Sequence, residues 1–122
     1  MKKILIIEDS KKTSLILKEV LEKMNYSVFL EHDGVSGLAA ARREKPDLIL
    51  LDLLLPKISG FDVCKSLKQD NAVRSIPVII LSTMYNEENV QKMKLLGAVT
   101  FMKKPYRLEE LLEEIKKRLK DE

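Results

Sequence analysis

Asp47-Leu48-Ile49-Leu50-Leu51-Asp52 is the segment that decides the fold. Four consecutive apolar residues between two acids read as a strand, and a run without alternation suits one covered on both faces. Similar runs lie on either side: Lys3-Ile-Leu-Ile-Ile-Glu8, Ser27-Val-Phe-Leu-Glu31, Pro77-Val-Ile-Ile-Leu-Ser82 and Val99-Thr-Phe-Met102. Amphipathic stretches separate them. Leu17, Val20, Leu21 and Met24 recur at helical spacing, as do Leu108, Leu111, Leu112, Ile115 and Leu119. Asp33-Gly34 and Lys45-Pro46 supply breaks, and Gly97 stands where a helix should stop before the last strand. Strands alternating with helices over short connections imply right-handed crossovers and an α/β, doubly wound parallel sheet.

Bulk properties narrow the function. A chain of 122 residues suits a single domain, here residues 1–122, and 45% hydrophobic with 34% charged residues describes a soluble globular protein. The apolar stretch Ile4 to Ile7 is too short for a signal-peptide core or a membrane span, so the expected location is the cytoplasm and no membrane partner is expected. The single cysteine, Cys64, excludes an internal disulfide and reads as a buried, inert thiol. His32, the only histidine, excludes mechanisms that need two. Net charge is +3, and basic residues mostly sit beside acids on helical faces, as from Leu108 to Glu122, which argues against direct nucleic-acid binding.

In doubly wound sheets the ligand site lies beyond the carboxyl ends of the strands. The first strand ends in Glu8-Asp9, the third in Asp52, the fourth in Ser82-Thr83, and the fifth in Lys103-Lys104-Pro105. Three carboxylates, a hydroxyl and an ammonium are therefore expected on one rim. Acids so close repel one another unless a hard cation lies between them, and Mg²⁺ favours oxygen ligands and phosphate partners. Such a set suits phosphoryl transfer: Asp52 as nucleophile, Mg²⁺ on Asp9 and Asp52 with Glu8 in support, Lys104 and Ser82 on the remaining phosphoryl oxygens.

These residues resemble the receiver domains of two-component response regulators. The resemblance spans Lys3 to about Lys120 and rests on Glu8-Asp9, Leu51-Asp-Leu-Leu-Leu-Pro-Lys-Ile-Ser-Gly60, Ser82, Phe101 and Lys104-Pro105. It implies a (βα)₅ flavodoxin-like three-layer sandwich with five strands in the order 2-1-3-4-5. It also implies phosphorylation of Asp52 by a sensor histidine kinase or a histidine phosphotransfer protein. The backbone carbonyl of Leu54 would complete the Mg²⁺ site, Ser82 and Phe101 would act as the switch pair, and Gly60 and a cis Lys104-Pro105 bond would serve structure. Output would pass to a downstream protein through the fourth helix, fifth strand and fifth helix, with phosphorylation-dependent dimerisation as a family possibility. The resemblance implies a phosphoacceptor signalling switch and not an enzyme, one that would catalyse only its own phosphorylation and dephosphorylation.

Departures from the pattern are mild: Leu55 replaces the usual methionine, Ser82 the commoner threonine, Tyr106 a common phenylalanine, and Thr83 a smaller residue. A haloacid-dehalogenase-like phosphotransferase would need a second acid at Leu54, and a flavodoxin a phosphate loop where Glu8 to Thr13 stands. An unphosphorylated adaptor, or a receiver cut from a larger transcription factor or kinase, shares the same pattern.

Overall fold

The computed structural model describes residues 1–120; the last two positions of the expected 1–122 domain and of the Leu108–Glu122 stretch lie outside them. Ten elements alternate: β1 (Lys3–Ile7), α1 (Lys11–Lys23), β2 (Ser27–Glu31), α2 (Gly34–Glu44), β3 (Leu48–Leu51), α3 (Gly60–Gln69), β4 (Val78–Ser82), α4 (Glu87–Leu95), β5 (Thr100–Lys103) and α5 (Leu108–Leu119). All strand pairs are parallel, in the order β2-β1-β3-β4-β5. The expected strand order and class are those found. No helix among the described residues is long and apolar enough to cross a membrane.

The continuous apolar runs have a simple cause. Strand residues alternate between faces, and both faces of β1, β3 and β4 are roofed by helices. Leu5, Ile7, Ile49, Leu51, Val78 and Ile80 pack toward α2, α3 and α4, against Leu38, Ala41, Val63, Leu67 and Met93. Ile4, Ile6, Leu48, Leu50, Ile79 and Leu81 pack toward α1 and α5, against Leu17, Leu21, Leu111, Ile115 and Leu119. Each fully buried aliphatic side chain contributes about 1.5–3 kcal/mol, so these two seams dominate the favourable side of folding. The helical stripes are narrower than expected. Val20, Met24 and Leu112 are half-buried, and Leu108 is exposed.

Boundaries moved by a residue where an edge is wet. β5 runs Thr100–Lys103 rather than Val99–Met102: Val99 is 39% exposed, and Lys103 joins the ladder opposite Ser82. The Asp33-Gly34 break falls at the start of α2, where the Asp33 carboxylate accepts the Ser36 amide at 2.7 Å. At the end of α4, Gly97 takes φ +92° while its N–H donates to Lys94 and that of Ala98 to Met93, a Schellman ending.

Cys64 is fully buried on α3, with its thiol directed at the Leu96 carbonyl at 3.6 Å. Burial pushes the thiol up to about 11, against a weaker opposing pull from Lys68. The folded protein thus holds this proton more tightly than the unfolded chain. Stability from this group is complete below the ordinary thiol range and declines as pH rises toward that value. Alkylation by iodoacetamide at pH 8 should run at least about a hundredfold slower in native than in denatured protein. Equal rates, followed by intact mass, would place Cys64 at the surface.

Candidate functional site

The sheet register assembles the site. Ile7 pairs with Leu51, so Glu8 and Asp52 leave adjacent strands side by side, and the Asp52 N–H donates to the Ile7 carbonyl at 3.0 Å. Ser82 pairs with Lys103, and the Lys104 N–H donates to the Ser82 carbonyl at 3.0 Å. Lys104 is therefore delivered to the same rim, just before the cis Lys104–Pro105 bond.

Its ammonium lies between two carboxylates. Nζ donates to Asp52 Oδ2 at 2.8 Å and makes a second, short contact with Glu8 Oε1. Glu8 and Asp52 are each only 8% exposed. Two acids this far from water require a cation. Burial alone pulls the lysine down, but hydrogen bonds and attraction from Asp52 and Glu8 together hold it above its ordinary value. Because the folded pKa is raised, this contribution is present below the ordinary lysine range and is lost as pH rises through the folded value.

The remaining acceptors on these acids are also engaged. Asp52 Oδ1 accepts the Leu54 amide at 3.1 Å, and Glu8 Oε2 accepts the Ser10 amide at 3.1 Å. Ser10 in turn caps α1 by accepting the Thr13 amide, which divides the capping role between the two residues. His32 Nδ1 lies 2.9 Å from the Glu8 carbonyl, an acceptor only, so that nitrogen carries the proton. Among the described residues no buried side-chain nitrogen or oxygen is left without a partner.

Gly60 holds the other side of Asp52. A Cβ there would stand 2.2 Å from the Asp52 carbonyl oxygen and 2.6 Å from Leu53 Cα, distances that backbone atoms cannot relieve cheaply. Only glycine lets the head of α3 rest on the Asp52 peptide, where the Gly60 N–H donates to the Leu53 carbonyl at 3.0 Å.

The expected trio of carboxylates is not assembled. Glu8, Asp52 and Lys104 converge, whereas Asp9, past the end of β1, is exposed and makes none of these contacts. Among the described residues no three His, Cys, Asp or Glu side chains are grouped to hold a metal. The donor chemistry nevertheless fits a hard dication, which commonly uses one or two carboxylates and keeps its waters. Two oxygen-only acids, with Asp9 next in the chain, meet that requirement.

Ser82 is fully buried, and its hydroxyl accepts the Met84 amide at 3.2 Å. Phe101 is half-buried at the sheet edge, with its ring edge-on to Tyr85 at 5.2 Å and 89°. Sequence reasoning passed over Tyr85; an aromatic three residues beyond a strand-end serine was the available signal. It also passed over the Leu54 amide, which side-chain types do not reveal.

The comparisons agree with this geometry. Residues 4–116 match the model of the response regulator receiver domain. The chain is 32% identical over 120 residues to the polar-differentiation response regulator DivK of Brucella anthropi, covering 98% of each. A CheY-like receiver domain protein from Methanospirillum hungatei superposes with a TM-score of 0.93 at 27% identity, over 99% of this chain and 95% of that one. The Mn²⁺-bound form of response regulator Rcp1 superposes with a TM-score of 0.81 at 32% identity, over 96% and 91%. Parallel strands in the order 2-1-3-4-5, acids at the ends of β1 and β3 joined by a lysine after β5, and a family match over nearly the whole length lead to one conclusion: the chain belongs to the response regulator receiver domains of two-component signalling.

Proposed function

We propose that this receiver domain takes a phosphoryl group on Asp52 from a histidine kinase or a histidine phosphotransfer protein. The observation that carries the reading is the Lys104 ammonium held between Glu8 and Asp52. A buried acid already paired with a mobile cation can become a phosphoanhydride without leaving an orphan charge.

In the step itself, a carboxylate oxygen of Asp52 attacks the phosphorus of a phosphohistidine in line. An O–P bond forms and the N–P bond breaks; its electron pair stays on the imidazole nitrogen, which takes up a proton from solvent. Mg²⁺, held by Asp9 and Asp52 with Glu8 and the Leu54 carbonyl in support, supplies neutralisation of phosphoryl charge when bound. The Mn²⁺ of the similar Rcp1 supports a divalent cation here. Lys104 follows the new negative charge, and Ser82 exchanges its bond from the Met84 amide for one donated to the phosphate.

Phe101 then responds to the vacated space beside Ser82, and Tyr85 moves with it. Shifting such an equilibrium from roughly 1:99 to 99:1 takes about 5.5 kcal/mol. Two charge-assisted hydrogen bonds at about 1.5–3 kcal/mol each supply energy of that order. The α4–β5–α5 side is the output surface of this reading, bearing Tyr85 at 46%, Leu95 at 87% and Val99 at 39% exposure for a protein target or a second copy. The cytoplasm, where histidine kinases present their phosphoryl groups, is the corresponding location.

Incubation with Mg²⁺ and a small phosphodonor should add one phosphate by intact mass, and Asp52→Asn should abolish it with the fold retained by circular dichroism. Comparable labelling of the variant would remove Asp52 from this role. The phosphate should also be long-lived. Leu54 is apolar and 54% exposed at the rim, and Met84 packs partly into the core, so neither side chain can orient a hydrolytic water. Combining Leu54→Asn with Met84→Glu should speed loss of phosphate roughly tenfold; an unchanged decay rate would contradict the steric and polar explanation.

A further inference from the structure

The loop from Leu53 to Ser59 carries the Leu54 amide that fixes Asp52, yet only Leu53 in it is buried and it has no strand or helix of its own. Its inner end is fixed by Gly60 on the Asp52 peptide. Its outer end is fixed by an element distant in sequence, the head of α2.

Three contacts make that second attachment. The Gly34 N–H donates to the Pro56 carbonyl at 3.4 Å, a long bond. Ile58 fits the space where a Gly34 side chain would be: a Cβ there would stand 2.4 Å from Ile58 Cγ1, 2.7 Å from the Ile58 carbonyl oxygen and 2.9 Å from Val63 Cγ2. Lys57 reaches the Asp33 carboxylate at 3.6 Å. The loop is bent to meet these partners. Lys57 adopts φ +73°, a left-handed conformation that a lysine takes only at a cost, and the Ile58 N–H closes onto the Pro56 carbonyl at 2.9 Å.

Of the three, shape complementarity dominates. Lys57 is largely exposed, and an ion pair of that kind contributes little. Asp33 is committed first to Ser36, whose amide and hydroxyl it accepts at 2.7 and 3.0 Å. Ile58 against Gly34, by contrast, is a contact of side chain and backbone on bare backbone, and no rotamer change can restore it once a methyl group intervenes.

We infer that Gly34 and Ile58 are positioning residues for the acceptor site: the head of α2 is a notch that seats the β3–α3 loop, and through the Leu54 peptide that loop sets Asp52 and the adjoining metal position. Neither residue touches the reacting atoms. The inference rests on the reading of Asp52 as acceptor only for its consequence in phosphorylation; the seating itself is independent of it.

Amide hydrogen exchange in the full chain without metal tests the seating directly. In Gly34→Ala, the Leu54, Ile58 and Gly60 amides should exchange roughly tenfold faster relative to the β3 amides, which report global unfolding. Loop amides that change no more than those of β3 would overturn the inference. Ile58→Ala, which empties the notch without crowding it, should produce the same selective loosening, and it decides the matter if Gly34→Ala does not fold. In the labelling assay both variants should raise the Mg²⁺ concentration for half-maximal phosphorylation roughly tenfold; an unchanged value would equally overturn it. A parent protein that takes no phosphate on Asp52 would defeat the proposed function and leave the exchange result to judge the notch.

Discussion

Glu8 and Asp52 leave water side by side, and the rest of the site follows from the cation this demands. Desolvating two carboxylates costs more than one ammonium returns unless every remaining acceptor is also satisfied. Here they are satisfied, by the Leu54 and Ser10 amides and by Lys104 itself. The parallel register makes the arrangement unavoidable. Pairing Ile7 with Leu51 and Ser82 with Lys103 leaves no freedom for where the strand-end residues emerge. A one-residue slip in β3 would turn Asp52 toward a helix layer and break both apolar seams at once.

Two groups of side chains flank this floor. Ser82 is buried at the end of β4 with its hydroxyl on the Met84 amide, and Phe101 and Tyr85 meet edge-on beside β5, the half-buried edge strand. The β3–α3 loop lies opposite, attached by two glycines that let backbone rest on backbone. The site is thus bounded on one side by Ser82 and the aromatic pair and on the other by the seated loop, with Lys104 joined to both Glu8 and Asp52 between them.

Much of this was legible in the chain. β1, β3 and β4 could be read because both of their faces are roofed, which removes the polar alternation that blurs other strands. Asp52 and Lys104 stood out as charges at the ends of apolar runs. What escaped notice has physical causes. Asp9 lies past the end of β1 and is exposed, so the sequence names it beside Glu8 while only Glu8 and Asp52 are joined through Lys104. β5 was framed one residue early because an edge strand tolerates an exposed Val99 and a laddered lysine. The Leu54 amide and the seating of Ile58 on Gly34 involve backbone and bare space, which carry no residue-type signal, and the second joins positions twenty-four apart.

The central claim, that Lys104 neutralises Glu8 and Asp52 until a phosphoryl group replaces one of those charges, is tested most directly by a crystal structure with Mg²⁺ and beryllofluoride, a mimic of the aspartyl phosphate. The expected result is beryllofluoride joined to Asp52, with Lys104 Nζ released from Glu8 and bonded to a fluorine, and the Ser82 hydroxyl turned from the Met84 amide toward another. Beryllofluoride bound elsewhere, or bound to Asp52 with Lys104 still bridging the two carboxylates, would contradict it.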